Sequence, residues 1–254
     1  MMRTSQQWVN YFKQNLQVKR IDWTQDPCLS AKELGTVLKS LQAWQLGETS
    51  DGKHLVNACK KYAAKINDPY YVKAVELFIK EEQKHGNNLG IYLDMINQPR
   101  IKTNWGDTLF RKIRYCNTSM ELWTLAVITV ESAAQIFYQS MKDATACGLL
   151  KQICNDILID EAAHIQFQHE RLLMIYSRKN SFGRNWTYQG YKYFFILTSL
   201  LIWFAHKRLF KAGGNNFKKY FRKMMFKSSK TIRRLKYEEV EINISANLKN
   251  VFQH

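Results

Sequence analysis

Two short stretches constrain this chain more than any other feature: Lys80 to Asn87, KEEQKHGN, and Ile159 to Gln168, IDEAAHIQFQ. In the first, Glu82 and His85 stand three residues apart, and in the second Glu161 and His164 do. Both runs read as helical. Residues i and i+3 share one side of a helix, so each pair offers a carboxylate and an imidazole to one point. With 12 glutamates and six histidines in 254 residues, chance supplies only roughly 0.3 such pairs. Two are present, each preceded by an acid, Glu81 and Asp160. A fold for this chain has to bring the two pairs together.

Helices are what the remaining pattern offers. Ser30 with Glu33 fits a capping box, followed by Leu34, Val37, Leu38, Leu41, Trp44 and Leu46 near the 3.6-residue period. Gly47 to Gly52 interrupts that run before it continues to about Ile66, so either one helix kinks there or two abut. Asp68-Pro69 is expected to cap and open a helix lasting to about Asn97. A connector, Gln98 to Asn117, carries a short helix near Asp107 to Arg114. Thr118 with Glu121 opens an apolar helix to about Met141, and Thr145 caps a last long one to about Arg178. Only three prolines interrupt the chain. The expected class is all-α: a four-helix bundle over 30–178, with an amphipathic helix packed on it from 1–29 (Trp8, Val9, Phe12, Leu16).

The extension over 179–254 differs in charge. From Arg171 to Tyr237 the chain has 17 basic residues and no acidic one, against a net charge of +17 for the whole. Its apolar run, Tyr193 to Ala205, falls short of the roughly 20 residues that span a bilayer, so a fifth core or interfacial helix is expected. The basic and aromatic segment 191–236 suits peripheral contact with an anionic membrane, and suits nucleic acid less well. A merely solvated tail is the commonest fate of such a segment. Five cysteines form no Cys-x-x-Cys pair, and Cys147 and Cys154, seven apart, fit core packing on one helix face. The opening MMRTSQQWVN has no signal-peptide apolar region, so a reduced cytoplasmic compartment is expected.

Glu48 and Glu131 complete a set. Each lies at roughly the same 20–27 Å along its helix as Glu82 and Glu161, at about 1.5 Å per residue. In an antiparallel bundle the four meet near mid-level. Glutamates in company such as Leu125-Ala126-Val127-Ile128 are costly to bury alone, and two divalent cations would neutralise four of them.

The order Glu48, Glu82-x-x-His85, Glu131, Glu161-x-x-His164 resembles the ferritin-like di-iron carboxylate family, across about Ser30 to Arg178. The resemblance implies a ferritin-like bundle holding two iron ions, an Fe/Mn pair, or manganese. It implies that Glu82 and Glu161 bridge the metals, with His85 and His164 as one terminal ligand to each and Glu48 and Glu131 as the other. Glu81 and Asp160 would each orient the histidine of the opposite helix. Glu48 departs from the pattern, because it stands beside Gly47 in a helix that the glycines interrupt.

Trp44, Phe78, Val127, Ile128 and Ile157, each one turn before one of these carboxylates, are expected to line a pocket. Tyr92 and Tyr138 fall on the same helix faces, where a redox tyrosine and ordinary packing with a bonded hydroxyl both fit, packing being commoner. Gln135 suits a bond to a metal-bound water and core filling equally. His54, His169 and His206 have no matching partner and are not expected to be ligands. The family implies an oxidoreductase that uses O2 on an organic substrate, with electrons from a separate donor; it does not name the substrate, and the apolar lining fits O2 itself or an acyl, lipid-like or aromatic one. Ferroxidase, iron-handling or peroxide-scavenging activity and a non-enzymatic membrane- or nucleic-acid-binding module are the alternatives. A homodimer is compatible with any of them.

Overall fold

The computed structural model describes residues 2–115, 119–177 and 180–233, and within them the chain is all-α. In order these are α1 (Ser5–Asn15), α2 (Ala31–Glu48), α3 (Lys53–Ile66), α4 (Tyr71–Met95) and α5 (Trp105–Tyr115). They continue as α6 (Met120–Asp143), α7 (Gly148–Tyr176), α8 (Ser181–Ala212) and a further helix, α9, over 217–233.

Local chemistry sets the ends. Ser30 and Glu33 form the expected capping box of α2, and the other Glu33 oxygen accepts from the Ala146 amide at 2.6 Å. Those backbone bonds hold the Glu33 carboxyl down at about 2 and fasten the start of α2 to the α6–α7 turn. The Gly47–Gly52 interruption resolves as two abutting helices. Gly52 adopts φ 64° between them, and a Cβ there would lie 2.5 Å from Ile79 Cδ1.

Two caps differ from expectation. Asp68 accepts from the Tyr70 amide at 3.0 Å in a turn, so α4 begins at Tyr71, two residues beyond Pro69. Cys147 occupies the N-cap of α7, while Thr145 Oγ1 accepts the Cys147 amide at 3.0 Å. Thr118 lies outside the described residues, as do 234–254 of the basic extension.

Helices α2, α4, α6 and α7 make the bundle, with α3 against α4 and α6, and α5 against α2. One core cluster runs through Leu41, Leu89, Phe137, Leu150 and Ile153, and includes the buried Cys147 and Cys154. A second joins Trp8 and Phe12 of α1 to Phe78, Trp123 and Phe167. Trp8 Nε1 donates to Glu170 at 2.6 Å, and the buried Arg171 donates to Ser5 Oγ at 2.6 Å, so the N-terminal helix is bonded down to α7.

The apolar run 193–205 is the middle of a much longer helix. At 32 residues α8 is long and apolar enough, by length and composition alone, to cross a membrane. It lies along the bundle instead, burying Tyr191, Phe195, Trp203 and Phe210 against α6 and α2. It bends at His206, whose Nδ1 meets Ser40 Oγ at 3.0 Å. Gly213 then lets the chain touch α6, since a Cβ there would sit 2.4 Å from the Ser140 carbonyl oxygen. Helix α9 packs back, Tyr220 donating to the Ser199 carbonyl at 3.1 Å and Thr231 meeting His169 at 3.0 Å. Through residue 233 the basic extension is therefore folded onto the body rather than free in solvent.

Candidate metal centre

The six residues named from sequence converge between α2, α4, α6 and α7. Ligand-type atoms of Glu48, Glu82, His85 and Glu161 lie within 4.8 Å of one another, and so do those of Glu82, Glu131, Glu161 and His164. Glu82 and Glu161 are common to both groups. Glu48 and His85 belong to one group only, and Glu131 and His164 to the other. His54, His169 and His206 enter neither group.

The two histidines are held crosswise. His85 Nε2 lies 3.0 Å from Asp160 Oδ2, and His164 Nε2 lies 2.8 Å from Glu81 Oε2. Each histidine thus leans on the acid of the opposite helix, with Nδ1 turned toward the carboxylate cluster, 2.7 Å from Glu82 for His164 and 3.9 Å from Glu161 for His85. Sequence reasoning missed what holds the acids. Asn15 Nδ2 donates to Glu81 at 2.7 Å and to Asp160 at 2.8 Å, while Lys84 and Arg20 donate to Asp160 at 2.8 and 3.1 Å. Lys84 stood in view inside KEEQKHGN, whereas Asn15 and Arg20 are remote in sequence and carried no signal.

At Glu48, the last residue of α2, Tyr138 donates its hydroxyl to Oε1 at 2.8 Å. Gly86 makes this position reachable: a Cβ on it would meet Glu48 Cβ and carbonyl carbon at 3.1 Å and Thr49 Cγ2 at 3.0 Å. Gly86→Val therefore pushes the end of α2 away. We expect about 1–3 kcal/mol of destabilisation, and binding of one divalent ion weakened about tenfold in titrations of the metal-free protein. Unchanged binding of both ions would remove the role assigned to this close approach.

Burial without compensation marks the cluster. Both Glu161 oxygens and His85 Nδ1 are buried without a hydrogen-bond partner. Burial, then the neighbouring Glu82, pushes Glu48 well above the usual carboxylate range and raises Glu161. Against its burial, His164 is raised well above the imidazole range by Glu82, and Glu82 is held down at about 2 chiefly by the His164 cation. Glu48, Glu161 and His164 thus all carry raised values, each holding its proton more firmly than the free group does. A cation entering the cluster has to displace those protons, so its affinity falls as pH falls. We expect the apparent Mn(II) affinity to improve at least tenfold from about pH 6 to about pH 8, with proton release visible by calorimetry in buffers of different ionisation heat. A pH-independent affinity would contradict the raised values.

A cavity of about 310 Å³ reaches Glu48, Glu82 and Glu131 from the surface. Trp44, Phe78 and Val127 line it as expected, joined by Trp123, Leu197 and Leu201. Ile128 and Ile157 do not: both are fully buried in the main core cluster, and α7 contributes no residue to the cavity wall. Neither tyrosine lines it. Tyr92 donates to Cys147 Sγ at 3.4 Å and Tyr138 to Glu48, the bonded-hydroxyl outcome in both cases. Gln135 Oε1 accepts from Lys227 of α9, so that oxygen is already engaged. Burial lowers Lys227 to about 8.

No protein-family model and no curated protein matches the sequence. Solved structures do match. A variant of an R2-like ligand-binding oxidase with aerobically reconstituted Mn/Fe cofactor is similar at TM-score 0.62 and 16% identity, over 91% of this chain and 94% of that one. A second variant, with anaerobically reconstituted Mn/Fe cofactor, gives 0.61 and 15% over 91% and 93%. At such identity the likeness carries the fold: a ferritin-like helical bundle with added N-terminal and C-terminal helices.

Proposed function

We propose that this protein is an oxidoreductase of the ferritin-like di-iron carboxylate superfamily, using O2 and an organic substrate at a pair of iron ions or an Fe/Mn pair. The observation that carries the reading is the sharing of Glu82 and Glu161 between two four-residue groups, the arrangement two bridged cations require. Four carboxylates and two imidazoles suit iron or manganese rather than copper or structural zinc. The unpartnered oxygens of Glu161 and His85 Nδ1 fit such ions, since buried polar atoms in folded proteins otherwise find partners. The R2-like ligand-binding oxidases, which carry Mn/Fe, support the same pair here.

In this reading Glu48 with His85 and Glu131 with His164 would hold one ion each, and Glu82 and Glu161 would be shared between them. When bound and reduced, such a pair would supply two electrons to O2. The protein's own part is positional. Asp160 and Glu81 accept from the Nε2 atoms and keep the Nδ1 lone pairs aimed inward. Tyr138 fixes the Glu48 oxygen. The apolar walls at Trp44, Phe78, Val127 and Leu197 hold water away and accept an acyl or lipid-like chain. Electrons come from a separate donor.

Metal analysis and an optical spectrum, recorded after O2 is added to the reduced Fe(II)- and Mn(II)-loaded protein, test the reading. About two ions per chain and a transient visible band with little further iron uptake support it. Less than one tightly bound ion defeats it, and hundreds of irons per assembly would assign the protein to storage.

A further inference from the structure

Helix α8 has two unlike faces. The inner one is packed on the bundle. The outer one carries Phe182, Trp186, Tyr193, Leu197 and Phe204, exposed at 75, 69, 70, 58 and 64%. Their spacing places all five within one narrow arc of a helix turning 3.6 residues at a time. Such side chains offer 150–250 Å² each, so this stripe shows roughly 500–700 Å² of apolar surface, at or above the largest patch of an ordinary monomer. Nothing in the chain covers it among the described residues.

We propose that this face lies on an anionic lipid bilayer, with α8 flat in the headgroup boundary. Charge selects the partner. No acidic residue occurs from 171 to 233, whereas Lys192, Lys207, Arg208 and Lys211 are exposed on α8 and Lys218, Lys219 and Arg222 on α9. Arg208 and Lys211 follow Phe204 along the exposed end of the same helix, so phosphate headgroups and acyl chains are met by one element. Trp186 and Tyr193 are the side-chain types that settle at that boundary. A second copy fits less well, because an isologous contact sets each cationic strip against another with no carboxylate on either helix to pair them. A spanning helix fits no better, since it would have to pull Tyr191, Phe195, Trp203 and Phe210 out of the core.

The stripe touches the cavity. Leu197 belongs both to the stripe and to the cavity wall, which also takes in Ala205 of α8 and the exposed Trp105 and Leu109 of α5. A protein docked on this face sets that part of the wall against the lipid. The docking itself stands whatever the metal centre does.

Flotation of the full-length protein with vesicles of phosphatidylglycerol and phosphatidylcholine, against phosphatidylcholine alone, decides the matter. Binding to the anionic vesicles is expected, weakening as salt is raised. The triple variant Trp186→Ser, Tyr193→Ser, Phe204→Ser removes three apolar anchors worth about tenfold each and is expected to lower partitioning about a hundredfold or more. Its metal content and melting temperature should not move, because all three side chains are exposed. A second variant, Lys207→Gln, Arg208→Gln, Lys211→Gln, is expected to lose the preference for anionic lipid. No vesicle binding by the unaltered protein at low salt overturns the proposal, as does binding that survives the serine variant. Light scattering that shows a dimer dispersed by the serine changes, without vesicle binding, would assign the face to a second copy. Oligonucleotide binding lost in that variant, again without vesicle binding, would assign it to nucleic acid.

Discussion

Glu161→Ala is expected to take bound iron or manganese from about two ions per chain to less than one. Glu161 is fully buried, it belongs to both groups of converging side chains, and neither of its oxygens is bonded within the protein. Removing it therefore strips a donor from both positions at once. Glu131→Ala strips one position only and should leave a single, weakened ion. The stability consequence has an unusual sign. Burial and Glu82 raise the folded-state value of Glu161, so at neutral pH its carboxylate costs stability in the metal-free protein. Glu161→Gln, which avoids the cavity that alanine leaves, should match or exceed the metal-free parent in melting temperature. It should fall below the parent once both are offered metal, because only the parent gains from ligand binding to the native state. Metal analysis on the purified variants and paired melts with and without Mn(II) check both statements. Two ions retained by Glu161→Ala would end the assignment of a shared bridging residue.

How much of this centre could be read beforehand depends on how far its causes lie apart in the chain. Glu82 with His85 and Glu161 with His164 were legible, because a three-residue spacing on a helix is a local fact. Glu48 was legible as a glutamate but not as a helix-terminal one brought close by Gly86, since that approach joins α2 to α4. The bonds to Asp160 from Asn15 and Arg20 span 145 and 140 residues, and no periodicity reports on them. Ile157 illustrates a different limit. It stands one turn from a converging residue, yet which side of the bundle the cavity opens on depends on α8, and it opens away from α7. The length of α8 was missed because Arg184, Asn185, Gln189 and Lys192 interrupt a plain apolar run while Phe182, Trp186 and Tyr193 keep the helical period. Its continuation to 212 rests on packing against α6 and α2, which a count of consecutive apolar residues does not register.

Asp160→Ala should produce a different failure, and the contrast separates a residue that meets metal from one that aims a ligand. Asp160 is fully buried and accepts from His85, Asn15, Arg20 and Lys84, at 3.0, 2.8, 3.1 and 2.8 Å. Against its burial, those bonds hold its carboxyl far below the usual range. Alanine leaves the buried His85 imidazole without its acceptor and Arg20 and Lys84 with Asp156 alone, at 2.8 and 3.2 Å, where breaking a fully enclosed network costs about 3–5 kcal/mol. Arg20 and Lys84 keep 20% of their side chains in water, which places the expected loss near the lower end, about 3 kcal/mol. For a domain of this size that is roughly 6–12 °C in melting temperature. The loss should appear with and without metal, unlike that of Glu161→Gln. Its pH dependence follows from the depressed folded-state value: the stabilisation is present above the unfolded carboxylate range and disappears only as pH falls through the folded one. The gap between parent and variant should therefore persist through mildly acidic pH and close only under strongly acid conditions. Metal affinity should drop 10–100-fold, because His85 loses the bond that fixes its tautomer and direction. Asp160→Asn keeps the shape without the charge and should recover part of the melting temperature while leaving affinity low. An alanine variant that melts with the parent and binds metal as tightly would show that Asp160 neither anchors the N-terminal segment nor aims His85.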